Sequence, residues 1–143
     1  MAEFLKAEQI ANNNRQFGYA GDVSVEDAWG LLQANPSAAI VDVRTPQEWE
    51  QVGVPDLASL DKPLHRVTWR MLPDGSSAAR FAEAFGELEL PKDTPLLLLC
   101  KAGGRSQAAA LALTAAGYSC CLNVAGGFEG QNGWLSCQLP SCR

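Results

Sequence analysis

The sequence predicts an α/β fold, a mainly parallel sheet with helices on both faces. Three observations carry that expectation. Short apolar runs alternate along the chain with segments of helical spacing, the order that strand–helix–strand units produce. The runs "AAIVDV" (38–43) and "PLLLLC" (95–100) are continuously apolar rather than alternating, as strands buried on both faces are. The length of 143 residues, 47% of them hydrophobic and 19% charged, suits one domain with a full core.

In chain order, residues 2–16 have helical spacing, with Phe4, Leu5, Ile10 and Ala11 as apolar points, and Gly18 and Gly21 break it. "SVEDAWGLLQ" predicts a helix with Ser24 as N-cap and Asp27 in the capping-box position. The strand 38–43 comes next. "TPQEWEQVG" predicts a short helix capped by Thr45, with Pro46 in the first turn and Gly53 at its end. Residues 66–69, "RVTW", predict a strand, and 77–88 a helix carrying Phe81, Phe85 and Leu88. The leucine strand 95–100 is the strongest of all. "SQAAALALTAAG" predicts a helix closed by Gly117. Residues 119–124 predict a last strand, "AGGFEG" a glycine-rich loop, and 131–143 an irregular tail.

The net charge of −5 argues against a general nucleic-acid binder, which carries a basic face. No apolar run approaches the ~18 residues of a membrane span. The start has no apolar h-region, so no signal peptide is expected. The five cysteines, Cys100, Cys120, Cys121, Cys137 and Cys142, are odd in number and read as reduced thiols of a cytoplasmic protein. No C-x-x-C occurs and His65 is the only histidine, so no metal site or other cofactor is expected.

In parallel α/β sheets, functional groups collect at the carboxyl ends of strands. Cys100 falls there, as do Asp42, Arg44, Gly126 and Gly127. A cysteine at that place is a good core residue, but its successors are unusual for one: Lys101, Ala102, Gly103, Gly104, Arg105, Ser106 and then a helix. Gly103 and Gly104 can turn successive backbone N–H groups inward. The helix adds its positive dipole end, and Lys101 and Arg105 add charge. Such settings pull a cysteine pKa from ~8.5 toward ~3.5–7.5. A core cysteine needs none of this, whereas a cradle for an anion on sulfur needs all of it. Four residues separate Cys100 from Arg105. That ring is tight, better matched to a single sulfur, a persulfide, than to a phosphate or arsenate.

With these pieces in place, the chain resembles the single-domain rhodaneses, a family of sulfurtransferases. The resemblance rests on "VDVRTPQEW" (41–49), "LLLLCKAGGRSQAAA" (96–110) and "NVAGGFEG" (123–130), in that order, and covers about 24–130. Residues 1–23 then form a helical extension and 131–143 a tail of one domain spanning 1–143. The resemblance implies a rhodanese-like fold, a five-stranded, mainly parallel sheet with helices on both faces. It implies that Cys100 carries the sulfur and that 101–105 form the active-site loop; the family's phosphatase relatives have C-x5-R. The family's usual G-H-I-P-G-A stretch reads "GVPDLASL" (53–60) here, which leaves the loop chemistry intact and alters the approach to it.

The expected mechanism is double displacement. The Cys100 thiolate takes sulfur from a donor such as thiosulfate. Backbone N–H groups from Lys101 to Ser106 hold the persulfide, and cyanide, a cellular thiol or an acceptor protein removes it. Lys101 and Arg105 attract an anionic donor, or Arg105 is tied structurally to Asp42 by paired hydrogen bonds. Arg44 and Glu48, four apart, are expected to form a solvated pair. Trp69 and Arg70 are candidates to line the mouth, and Trp49 and Phe128 are expected in the core. Cys120 and Cys121 should point to opposite faces of their strand. Cys137 and Cys142 read as incidental surface thiols, with a resolving role open if either nears Cys100. Two other classes compete: a sulfur-relay or interaction module without turnover, and a phosphatase or arsenate reductase.

Overall fold

The computed structural model describes residues 5–143. The first residues of the predicted 2–16 helix, Phe4 included, lie outside them. The helix itself, α1 (Ala7–Phe17), ends at Gly18, whose φ of 81° makes it a left-handed cap. Next come β1 (Gly21–Val23), α2 (Val25–Ala34), β2 (Ala39–Asp42), α3 (Pro46–Val52), β3 (Val54–Pro55) and a 3-10 turn (Ala58–Leu60). The remainder is β4 (His65–Arg66), α4 (Ser77–Gly86), β5 (Leu96–Leu99), α5 (Gly104–Ala115), β6 (Cys121–Val124) and β7 (Ser141–Cys142).

Two expected caps form as the sequence suggests. The Ser24 hydroxyl accepts from the Asp27 N–H at 3.0 Å. Thr45 and Glu48 form a reciprocal capping box around α3, with Pro46 at its first position.

The main sheet has the order β1-β6-β5-β2-β4, every pairing parallel. Gly21–Val23 is its fifth strand, where the sequence suggests only a helix break; three residues are too few to show a period. The strand expected over 66–69 is shorter in regular form, although Val67 N–H donates to Asp42 and Trp69 N–H to Val43, so the pairing runs on irregularly. The tail is not free. Ser141–Cys142 pairs antiparallel with Val54–Pro55, and Trp134 is fully buried.

Strand residues alternate between two cores. Val41, Val43, Leu96, Leu98, Cys100 and Cys121 join Phe81 and Phe85 of α4 and Ala109 and Leu113 of α5. Ile40, Leu97, Leu99, Cys120 and Leu122 join Val25, Ala28 and Leu32 of α2 with Phe128 and Trp134. Cys120 and Cys121 thus face opposite ways, as expected. Right-handed crossovers explain the layering. The connections from β1 to β2 and from β2 to β4 run one way along the sheet, while those from β4 to β5 and from β5 to β6 run back. The direction reverses between the adjacent strands β2 and β5, so their carboxyl ends diverge and open the crevice where α/β sheets place ligands. Asp42 and Cys100 stand at its two sides.

Candidate active site

Cys100 directly succeeds β5 and is 1% exposed. Behind it the chain turns at Gly103, whose φ of 107° lies where glycine is at ease. That turn aims the Gly103 N–H at the Cys100 sulfur, at 3.1 Å. Ser106, in the first turn of α5, brings its hydroxyl to 3.2 Å from the same sulfur. A side chain at Gly103 has no room, because its Cβ would lie 2.5 Å from the Ala125 carbonyl oxygen. The loop after β6 closes over the cradle. Phe128 N–H donates to the Cys100 carbonyl at 2.8 Å, and Glu129 N–H to that of Lys101 at 2.9 Å.

The electrostatics of Cys100 differ from those of the other strand cysteines. Burial alone pushes Cys120 up to about 11 and, with smaller contributions, Cys121 up to about 12. Burial also pushes Cys100 up. Hydrogen bonds from the Ser106 hydroxyl and from the backbone N–H groups of Ser106, Gly103 and Ala102 outweigh it, and the thiol ends below its ordinary value. The geometry thus favours a thiolate at this one sulfur.

Ser106 has a single hydroxyl proton and two acceptors. Besides the Cys100 sulfur it lies 2.6 Å from Asn123 Oδ1. Asn123 Nδ2 in turn donates to Asp22 at 3.0 Å, as does the Tyr19 hydroxyl at 2.9 Å. Asn123, Asp22 and Tyr19 are not among the candidates that the sequence offers. Asn123 sits in the quoted "NVAGGFEG", where its place on a strand beside the cysteine strand is the available signal. With Ser106→Ala the sulfur loses one donor, so the Cys100 pKa is expected to rise. Alkylation of Cys100 by iodoacetamide, monitored by peptide mass, should slow about ten-fold near pH 6, the order of one hydrogen bond to a charged group. An unchanged pH profile would mean that the hydroxyl does not serve the thiolate.

The ion pairs depart from expectation. Arg105 does not reach Asp42; it forms a bidentate pair with Glu48, Nη1–Oε1 2.7 Å and Nη2–Oε2 3.0 Å. Arg105 and the capping-box contacts hold Glu48 at about 2, against the pull of its partial burial. Asp42 instead binds Arg44, with Nη2–Oδ2 at 2.7 Å and both side chains fully buried. Arg44 also donates to the Gly53 carbonyl at 2.8 Å, and its guanidinium lies 4.2 Å from the Phe128 ring centroid. The predicted Arg44–Glu48 surface pair is therefore absent. Arg44 precedes the cap Thr45 and is not on the helix, so helical i, i+4 spacing does not apply to it. Arg44 lies just past the end of β2, where the chain bends so that its backbone N–H also donates to Asp42 Oδ1, at 3.1 Å.

Of the expected loop residues, Gly103 and Ser106 contact the sulfur through the bonds just described, and Ala102 contributes its N–H. Lys101 and Gly104 are exposed. Trp69 does not line an open mouth; it is 7% exposed and packs 5.3 Å from the Phe81 ring. Arg70 is exposed and borders a cavity beside α4. Phe128 is core, and Trp49 is half-buried under Arg66. Val54 and Pro55, in the altered 53–60 stretch, are held by the tail strand.

A family model described as the STR4 middle domain matches residues 20–143. A sulfurtransferase of Allochromatium vinosum is 34% identical over 106 residues, which are 74% of this chain and 82% of that protein. The crystal structure of Rv0390 from M. tuberculosis superposes with a TM-score of 0.74 at 39% identity, covering 87% of this chain and 98% of that one. The solution structure of the polysulfide-sulfur transferase homodimer from Wolinella succinogenes superposes with a TM-score of 0.66 at 26% identity, covering 92% and 88%. The span of the family match and the identity to the Allochromatium protein together place the chain in the rhodanese-like sulfurtransferase family.

Proposed function

We propose that the chain moves sulfane sulfur from a donor such as thiosulfate to a thiophilic acceptor, cyanide or a cellular thiol, through a persulfide on Cys100. The observation that carries this is the Cys100 sulfur itself, lowered in pKa against its own burial by the Gly103 N–H and the Ser106 hydroxyl. The thiolate attacks the outer sulfur of thiosulfate. A new S–S bond forms to Cys100, the donor's S–S bond breaks, and its electron pair leaves with sulfite. The persulfide anion that results carries the charge the thiolate had, in the same donor field. An acceptor nucleophile then attacks the outer sulfur and returns the electron pair to Cys100. No proton transfer is needed, so the mechanism uses no general base. Because Cys100 is 1% exposed, each transfer requires the groups packed over its sulfur to move aside. The five free thiols fit a reducing compartment, and we place the activity in the cytoplasm.

Arg105, neutralised by Glu48, acts as a brace between α3 and α5. Lys101 supplies the exposed positive charge of the loop. Incubation of the reduced protein with thiosulfate should add the mass of one sulfur, and added cyanide should release thiocyanate catalytically. In Cys100→Ser both signals should fall to background, a loss of at least about 10³-fold. Loading without turnover would identify a sulfur-relay module. No loading from any sulfane donor, with hydrolysis of an aryl phosphate through Cys100, would overturn the proposal.

A further inference from the structure

A cleft of about 430 Å³ lies at the amino end of α4, bordered by Arg70 and Arg80 among other residues. Neither arginine has an ion-pair partner among the described residues. The one carboxylate in the lining, Asp74, is engaged by Ser76, whose N–H and hydroxyl lie 3.0 and 2.6 Å from it. The Ser77 oxygen accepts from the Leu72 N–H at 2.7 Å, which leaves its hydroxyl proton available. The three charged groups of the lining therefore sum to a net positive charge. Thr68, Phe81 and Ala84 complete one side.

The strand register ties this cleft to the cysteine. Asp42 pairs with Leu99 on one side and with Arg66 on the other. Thr68 hydroxyl then bonds the Arg44 carbonyl at 2.8 Å. Cys100 and Thr68 thus stand near the same level at the carboxyl edge, two strands apart, which is about 10 Å. Helices α4 and α5 share one core, and both begin at that edge.

We propose that this cleft is an acceptor subsite, in which Arg70 and Arg80 bind the carboxylate of a small thiol while its sulfur reaches the persulfide on Cys100. The inference rests on the proposed sulfur-transfer function and names the class of its acceptor. Reach separates acceptor from donor. Thiosulfate is one S–S bond long, about 2 Å, so its sulfonate stays beside Cys100. In a three-residue thiol with a central cysteine, sulfur and terminal carboxylate stand roughly 7 Å apart when extended, and the long side chains of Arg70 and Arg80 supply the rest of the reach between the two places.

The test compares glutathione with its diethyl ester, which keeps the thiol and removes the carboxylates. With thiosulfate as donor, the kcat/KM for glutathione divided by that for cyanide should fall about ten-fold in Arg70→Gln and in Arg80→Gln, mostly through KM. The ester should show a similar penalty with the wild type and little further loss in the variants. Binding of unreactive S-methylglutathione to the reduced protein, measured by titration, should weaken in the same variants. Equal binding of S-methylglutathione and its diester, or an unchanged acceptor ratio in the double variant, overturns the subsite. Failure of Cys100 to load sulfur, with arginine-dependent binding of S-methylglutathione intact, overturns the sulfur-transfer function and leaves the anion subsite standing.

Discussion

Arg44→Leu is expected to lower the stability of the fold by roughly 3–5 kcal/mol, because it leaves the Asp42 carboxylate buried without its counter-charge. Both side chains are fully buried, and Arg44 also binds the Gly53 carbonyl and the Phe128 ring. The substitution therefore loosens β2, the end of α3 and the loop over Cys100 at once. A urea midpoint that falls at constant slope would report it. A double substitution, Asp42→Leu with Arg44→Leu, should recover a large part of the loss, since no charge then stays unpaired in the interior. If Arg44→Leu alone cost less than about 1 kcal/mol, the buried pair would be worth no more than a surface ion pair.

Gly127→Ala is expected to cost roughly 2–4 kcal/mol and to impair sulfur loading of Cys100. Gly127 has φ of 63°, and an added Cβ would lie 2.5 Å from the Lys101 carbonyl carbon and 2.7 Å from the Ala102 nitrogen. The backbone of the cysteine loop would have to move, and the bonds from Phe128 and Glu129 to the carbonyls of Cys100 and Lys101 would move with it. Gly86→Ala supplies the contrast. Gly86 ends α4, and its added Cβ meets nothing within 4 Å, so a stability change between zero and a gain of about 1 kcal/mol is expected. Equal behaviour of the two variants in thermal unfolding and in loading rate would contradict the close approach of the two loops.

Much of this protein is determined by the sequence alone. The leucine run, the capped helix 46–52 and the order of strands and helices specify an α/β layer structure, because continuous apolar strands need cover on both faces. The glycine and helix start after Cys100 leave backbone N–H groups with no partner of their own, and one of them, at Gly103, faces the Cys100 sulfur. Motif residues in one continuous stretch, such as Cys100, Gly103 and Ser106, are legible for that reason.

The joining of distant segments was decided only by the tertiary structure. Arg105 could be assigned a carboxylate, but its choice of Glu48 over Asp42 comes from α3 and α5 meeting across the switch point. Asp42 turns instead to Arg44 because the chain bends just past β2 and brings both the Arg44 N–H and its guanidinium onto the carboxylate, and the pair is covered by Phe128 from a loop some eighty positions later. Asp22 and Tyr19 come near the site only because a three-residue strand pairs with β6. Such a strand leaves no period to read. The same holds for the Arg70–Arg80 cleft. Ten residues apart in the chain, the two side chains border one cavity only because α4 lies beside the segment that follows β4. Local hydrogen-bonding and burial rules act on neighbours in sequence, whereas ion pairing and cavity shape act on neighbours in space, and the sheet order decides who those are.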